Sequence, residues 1–128
     1  MIRIQATEIA EATGAELVYE GARAVAGEAV IDSRQAKEGT IFVAFAGEKV
    51  DGNAYLAAAA KTGAAAVVAS AEVSSDVLAA CAAEGTSVLR AKDDDCEAFL
   101  LALAAEQRRR MMEARAQGSG MIAEGRDI

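Results

Sequence analysis

A chain of 128 residues has the size of a single domain, and its net charge of -7, from 13 basic and 20 acidic residues, argues against nucleic acid as the main partner, because phosphate backbones attract basic surfaces. The lack of histidine and the isolation of Cys81 and Cys96 argue against a zinc site of the usual kind, so we expect no metal and two buried, reduced thiols. No apolar run reaches the roughly 18 residues of a membrane span and the N-terminus lacks the core of a signal peptide, so we expect a cytoplasmic protein without a membrane partner.

Short apolar runs, capping residues and glycines divide the chain into strands and helices. Apolar runs indicate strands, and a Ser, Thr or Asn before a run with a glycine after it indicates a helix. The first elements expected are a strand over residues 1–5, a helix over 8–13 capped by Thr7, and strands over 16–20, 28–31 and 41–45. They are followed by a helix over 54–62 capped by Asn53, a strand over 64–69, a helix over 75–84 capped by Ser74 or Ser75, and a strand over 87–90.

From residue 41 to residue 90 this order is β-α-β-α-β with short connections. Such an order is typical of a parallel sheet with helices on its faces and right-handed crossovers. We therefore expect an α/β fold, with a small, mostly parallel or mixed sheet, in a domain over residues 1–92.

A long helix is expected to follow this domain, over residues 93–116. Asp93–Asp95 suit the positive end of its dipole. Its apolar stripe, at helical spacing, consists of Phe99, Leu100, Leu103 and Ala104. We expect Gln117–Gly120 to break the helix and residues 117–128 to form a flexible tail.

Two predicted strands end in polar loops that suit an anionic small molecule. Asp32–Arg34 follows one strand, and Gly47–Gly52 follows the next. A hydroxyl, a guanidinium and backbone N–H groups all donate hydrogen bonds to phosphate. Each loop alone is also explained by solvated turn residues, and Gly52 by a need for positive φ. Their joint occurrence favours a site, because ligands of open α/β sheets lie beyond the carboxyl ends of the strands.

Other motif matches lack the rest of their sites. Lys61–Gly63 matches the Lys-Thr-Gly of penicillin-recognising enzymes, but no Ser-x-x-Lys accompanies it. Gly118–Ala123 matches G-x-G-x-x-A, but a dinucleotide fingerprint must follow a strand and open a helix. The acids of 93–97 lack calcium-loop spacing, and the sequence contains no G-x-x-x-x-G-K-[ST] for a triphosphate. Nothing here resembles a complete active site.

An ordered set of motifs resembles the N-terminal domain of the Mur ligases, ATP-dependent enzymes that extend the peptide of peptidoglycan precursors. The motifs are Asp32–Arg34, Gly39–Ala44, Gly47–Gly52 and Gly63–Val68. The opening segments Ile2–Ile4, Glu8–Ala10 and Gly14–Val18 are most similar to the D-alanyl-D-alanine-adding type, MurF. The diaminopimelate- or lysine-adding type, MurE, shares the D-S-R and D-G motifs and is the close alternative. The resemblance covers about residues 1 to 108.

This resemblance implies that the domain binds the UDP end of a UDP-N-acetylmuramoyl-peptide. It places Ile31 and Ser33 at the uridine and Arg34 near the diphosphate. The loop Glu48, Lys49 and Val50 would close over the nucleotide, and the loop structure would depend on Asp32, Gly47, Asp51 and Gly52. The sequence departs from the family at Asn53, where histidine is frequent, and in having no proline before Gly39.

The resemblance also implies that ATP and magnesium belong to a central domain that follows in family members. No catalytic residue and no cofactor are therefore expected in this chain, which should be inactive alone. Two alternatives remain at this stage. The chain could be a regulatory module that keeps the fold without binding nucleotide, or a self-associating piece. A homodimer would form through the C-terminal helix, around Leu103–Met112.

Overall fold

The structure, a computed structural model, describes residues 3–26, 28–47 and 51–122. In chain order these residues form α1 (Ala6–Thr13), β1 (Glu16–Tyr19), β2 (Ala29–Val30), β3 (Ile41–Val43), α2 (Leu56–Lys61), β4 (Ala66–Ala69), α3 (Ser75–Glu84), β5 (Ser87–Arg90) and α4 (Cys96–Ile122). Single 3₁₀ turns cover Ser33–Gln35, Gly52–Tyr55 and Lys92–Asp94. Within these ranges no helix, not even the 27-residue α4, could cross a lipid bilayer.

The strands of the described residues form one mixed sheet in the order β1-β5-β4-β3-β2. Neighbours from β2 to β5 are parallel, and β1 joins β5 antiparallel at one edge. In the middle of the sheet Val67 pairs with Phe42 on one side and Val88 on the other. The predicted α/β fold with a small, mostly parallel sheet and a C-terminal helix is confirmed.

Helices cover both faces of this sheet, which explains the near-continuous apolar runs of its central strands. Successive side chains of a strand point to opposite faces. Ile41 and Val43 therefore pack with α1 and α4, where Phe99 is buried. Phe42, between them, packs with α2 and α3. Cys81 and Cys96 are buried and free, as expected, and burial raises the pKa of each thiol to about 11.

Arg23 joins three segments at the edge where β3, β4 and β5 begin. Its Nη1 donates to the carbonyl oxygens of Ala60 and Ala64, both at 3.1 Å, and to Thr86 Oγ1 at 3.2 Å. The last carbonyls of a helix have no partner within the helix. Arg23 therefore satisfies the end of α2 and attaches the loop between β1 and β2 to the rest of the domain.

Two predicted helix caps are wrong. α1 begins one residue earlier than Thr7, and Glu8 Oε1 accepts the N–H of Gln5 at 3.0 Å. α2 begins at Leu56, because Asn53 lies inside the preceding 3₁₀ turn. At α1 an acidic side chain takes the place of the expected Thr, whereas Asp51 starts the 3₁₀ turn before α2 by accepting the N–H of Asn53, and no side chain caps α2 itself.

The cap of α3 is confirmed, while the first predicted strand is not formed by the described residues. Ser74 Oγ accepts the N–H of Val77 at 3.3 Å, and Gly85 ends the helix with a φ of 74°. Near the N-terminus, Ile4 makes only an isolated bridge to Val25. Met1 and Ile2 lie outside the described residues.

α4 differs from its prediction at both ends. A 3₁₀ turn over Lys92–Asp94 precedes it, and Asp95 Oδ1 accepts the N–H of Ala98 at 3.0 Å, so the helix begins at Cys96. At the other end the helix continues through Gln117–Gly120 to Ile122, where a break was expected. Glycine lowers helix propensity by about 1 kcal/mol but, unlike proline, does not clash with the preceding turn. Residues 123–128 lie outside the described residues.

Candidate functional site

An open cleft of about 510 Å³ lies where β2 and β3 end, at the carboxyl edge of the parallel part of the sheet. It is lined by Ile31, Asp32, Ser33, Arg34, Phe42, Gly52 and Tyr55. The cleft therefore brings together the loops after these two strands, as the sequence predicted. It lies at the edge where open α/β sheets bind their ligands.

The first wall of the cleft is built by a tight turn after β2. Asp32 Oδ1 accepts the N–H of Arg34 at 2.9 Å and so starts the 3₁₀ turn that contains Ser33. Ser33 is partly buried, whereas Ile31 is 63% exposed beside it. This wall offers a hydroxyl next to an apolar side chain.

Arg34 is paired with Asp32 across this same turn. Nε donates to both carboxylate oxygens, at 3.1 and 3.2 Å, and Nη2 donates to Oδ2 at 2.7 Å. These hydrogen bonds lower the pKa of Asp32 to about 2 and raise the pKa of Arg34. Among the described residues Nη1 has no hydrogen-bond partner. An incoming anion therefore meets a guanidinium that already shares its charge with a carboxylate.

The second wall requires a glycine at position 52 for space rather than for positive φ. The N–H of Gly52 donates to the carbonyl oxygen of Phe45 at 2.8 Å. A Cβ on Gly52 would lie 2.8 Å from the Phe45 nitrogen and 2.9 Å from the Ala44 Cα. Its φ is not in the left-handed region. The suggestion from sequence that Gly52 serves a positive φ is therefore wrong, and close backbone approach is the reason for this residue.

The loop after β3 is closed at its base by a bridge between Ala46 and Asp51. Gly47 enters this loop, and Asp51 Oδ1 accepts the N–H of Asn53 at 3.0 Å as the next turn begins. Glu48, Lys49 and Val50, expected at the nucleotide, lie outside the described residues. Their role stays a prediction.

Tyr55 is a cleft residue that the sequence reasoning missed. The sequence suggested a regular helix from residue 54, in which Tyr55 has no special place. In the structure a 3₁₀ turn over Gly52–Tyr55 precedes α2 and brings the ring of Tyr55 to the cleft with 44% exposure. Asp51, two residues before Asn53, was the available signal in the sequence, because Asp and Asn side chains start turns by accepting the backbone N–H two residues on.

A larger cleft of about 760 Å³ lies at the opposite edge, but two of its basic residues have a structural role at the end of α2. Its lining includes Arg3, Arg23 and Lys61. Arg23 is engaged by the carbonyls at the end of α2, and Lys61 is the last residue of that helix. Cations at a helix C-terminus stabilise its dipole. The carboxyl-edge cleft is thus the better candidate for a ligand site. Within the described residues, no group of three Cys, Asp or Glu side chains is placed so that it could hold a metal ion.

Comparison with known proteins finds similarity to one family. Residues 28–108 match the family model described as "Mur ligase family, catalytic domain". Two curated relatives are UDP-N-acetylmuramoyl-L-alanyl-D-glutamate--2,6-diaminopimelate ligases. The one from Haemophilus influenzae is 49% identical over 49 residues, which are 38% of this chain and 10% of the relative. The one from Rhizobium meliloti is 51% identical over 55 residues, 43% of this chain and 11% of the relative.

Solved structures support the fold. MurF from Acinetobacter baumannii aligns with a TM-score of 0.63 and 18% identity, covering 86% of this chain and 22% of that chain. A second structure from the same organism, described as UDP-N-acetylmuramoylalanyl-D-glutamyl-2,6-diaminopimelate--D-alanyl-D-alanyl ligase, aligns with a TM-score of 0.62 over the same shares. The chain thus spans about a fifth of the length of these solved proteins. The segments that match the curated relatives span about a tenth of the length of those relatives.

Proposed function

Since the chain belongs to the Mur ligase family, we propose that its carboxyl-edge cleft binds the UDP end of a UDP-N-acetylmuramoyl-peptide. The observation that carries this proposal is the composition of the cleft. A hydroxyl, a guanidinium, an aromatic ring and an exposed aliphatic side chain converge at the ends of two parallel strands. These groups suit a planar base, a ribose and a diphosphate.

Four cleft residues have direct roles in this proposal. Ile31 and Tyr55 flank the space for the uracil ring, because both present apolar surface to solvent. Stacking of a base on an aromatic side chain contributes about 1–3 kcal/mol. Ser33 donates or accepts at the uridine, and Arg34 contacts the diphosphate through the guanidinium edge that Asp32 does not use.

The proposal concerns the part of the substrate that the two ligase types share. The curated relatives add diaminopimelate and the solved structures add D-alanyl-D-alanine, but the names of both contain UDP-N-acetylmuramoyl. The opening segments of this chain favour the D-alanyl-D-alanine-adding type. We propose no catalytic role for residues 1–128 alone, because their sequence holds no phosphate-binding G-x-x-x-x-G-K-[ST] motif.

Isothermal titration with UDP, uridine and ADP tests the proposal. We expect UDP to bind more tightly than uridine, through the diphosphate, and more tightly than ADP, through the base. Arg34→Ala should weaken UDP binding about tenfold. This is the lower end of the range for the loss of a charged hydrogen bond, because Arg34 is exposed and is already paired with Asp32.

Thr13→Ala is the matched control for this titration. It removes a hydroxyl that donates to the Ile9 carbonyl at 2.7 Å, on the helix layer at the far side of the sheet from α2. This variant should keep the affinity of the wild type. Equal affinity of wild type and Arg34→Ala, or equal affinity for UDP and ADP, would contradict the proposal.

A further inference from the structure

Asn53 connects the turn that carries Tyr55 to the end of β4. Its Oδ1 accepts the backbone N–H of Ser70 at 2.9 Å, and its Nδ2 donates to Ser70 Oγ at 2.9 Å. Nδ2 also donates to Asp51 Oδ1 at 2.8 Å, within the turn itself. The two residues are 17 positions apart, and α2 and β4 lie between them in the chain.

The orientation of the Asn53 amide is determined by its partners. The backbone N–H of Ser70 can only donate, so the atom that faces it must be the amide oxygen. The nitrogen then faces Asp51 and Ser70 Oγ, both of which can accept. Ser70 Oγ in turn donates to the Ala44 carbonyl at 2.8 Å, at the end of β3. The amide oxygen is thus satisfied by Ser70 after β4 and the amide nitrogen by Asp51 and Ser70, while the Ser70 hydroxyl extends the connection to the end of β3.

We propose that Asn53 is a positioning residue, which sets the placement of Tyr55 in the wall of the cleft without contacting the ligand. This inference rests on the proposed function for its effect on binding. Its structural basis is independent, because the hydrogen bonds between Asn53 and Ser70 join the 3₁₀ turn to the end of β4 whether or not a ligand is bound. Without these bonds, Gly52 would still be held by its N–H, which donates to the Phe45 carbonyl, while the turn that carries Tyr55 would lose its side-chain bonds to Ser70.

The hydrogen bonds between Asn53 and Ser70 also explain how a short turn can hold the exposed ring of Tyr55. Tyr55 is 44% exposed, so packing alone restrains it weakly. A turn has no ladder of backbone bonds to limit its movement, and side-chain bonds from Asx residues take that role. Asn53 supplies bonds to Ser70, which directly follows the fully buried end of β4 at Ala69.

Tyrosine fluorescence provides a test that does not need a ligand. The chain has two tyrosines and no tryptophan, so a Tyr19→Phe background leaves Tyr55 as the reporter. In this background Asn53→Ala should increase quenching of Tyr55 by acrylamide. Ser70→Ala, which keeps the bond between its N–H and Asn53, should increase it less. Thr13→Ala, on the other helix layer, should leave it unchanged.

UDP titration of the same variants tests the consequence for binding. Asn53→Ala should lower UDP affinity about tenfold, the upper end for the loss of one neutral hydrogen bond. Ser70→Ala should lower it about threefold, which corresponds to about half that loss of free energy. In a Tyr55→Ala background Asn53→Ala should have little further effect, because Asn53 acts through Tyr55.

The outcomes separate this inference from the proposed function. If the wild type binds no UDP, the proposed function fails, and the quenching experiment still decides the positioning role. Unchanged quenching in folded Asn53→Ala would overturn the inference, whatever the affinity. If Asn53→Ala does not fold, unchanged quenching and affinity in Ser70→Ala would overturn it. Additive loss of affinity in the double variant would also overturn it.

Discussion

Arg34 and Asp32 are each other's partners at the mouth of the cleft, with Nη2 of the guanidinium 2.7 Å from Oδ2 of the carboxylate. Among the described residues, the guanidinium that lines the cleft is therefore partly neutralised before any ligand arrives. A diphosphate must compete with Asp32 or use the free edge of Arg34. This relationship predicts that Asp32 limits the affinity of the site for anions.

Asp32→Asn should raise the affinity for UDP about fivefold, the upper end for an exposed charge pair. The variant frees the guanidinium and removes a negative charge from the cleft. Its Oδ1 can still accept the N–H of Arg34, so the turn should persist. Titration at low and at high salt checks the electrostatic origin, because added salt should reduce the gain. Weaker binding by this variant would indicate instead that Asp32 accepts a hydrogen bond from the ligand.

Gly52→Ala should destabilise the domain by about 1–3 kcal/mol, as overpacking does in well-packed sites. The added Cβ would lie 2.8 Å from the Phe45 nitrogen, and backbone cannot move aside as a side-chain end can. Urea unfolding measures the loss. UDP affinity should fall as well, since Gly52 lines the cleft.

Gly14→Ala is the control for this substitution. Its cost comes from a φ of 77°, and its nearest contact, at 3.3 Å, is the flexible Lys92 side chain. It should destabilise by about 1 kcal/mol and leave UDP affinity unchanged. Equal affinity losses in both variants would show that Gly52 has no specific effect on the cleft.

Acidification should weaken the docking of α4 through Glu106. Arg109 Nη2 and Arg110 Nε donate to Glu106 Oε2 at 2.6 and 2.7 Å, which lowers the pKa of Glu106 to about 2. A carboxyl with a lowered folded pKa contributes stability above its unfolded pKa of about 4.3 and loses it as pH falls toward the folded value. Arg110 also bonds Glu8 of α1 at 3.1 Å, so the loss reaches the contact between these helices.

Thermal unfolding followed by circular dichroism between pH 5 and pH 2 checks this expectation. The midpoint of the wild type should fall with pH, and that of Glu106→Gln should fall less over the same window. Added salt should reduce the difference, since these side chains lie near the surface. An equal fall of the unfolding midpoint with pH in the wild type and in Glu106→Gln would contradict this expectation.

α4 is also the expected site of a homodimer. Met111 and Met112 are 51% and 69% exposed, just after Arg110. Repulsion between arginines of two copies is reduced, because Arg109 and Arg110 are already paired with acids of their own chain. Light scattering should give a dimer mass for the wild type and a monomer mass for a Met111→Asp, Met112→Asp double variant. A monomeric wild type at high concentration would eliminate this prediction.

The sequence by itself determined the strands β3 to β5 and the ends of α3. These features depend on local patterns: continuous apolar runs for strands covered on both faces, Ser74 before the helix and Gly85 after it. The same local patterns placed Asp32–Arg34 and Gly47–Gly52 at the ends of neighbouring strands, and so indicated the edge of the sheet where the cleft lies.

Only the tertiary structure decided how the cleft is built. Tyr55 lines it because a 3₁₀ turn replaces the expected first turn of a helix, and that turn is tied to Ser70 through Asn53. Gly52 is required because its backbone lies so close to the backbone of Ala44 and Phe45 that there is no space for a Cβ. Such contacts join residues that are far apart in the chain, and packing selects them. A pattern of neighbouring residues cannot specify which distant atoms will be within hydrogen-bonding distance.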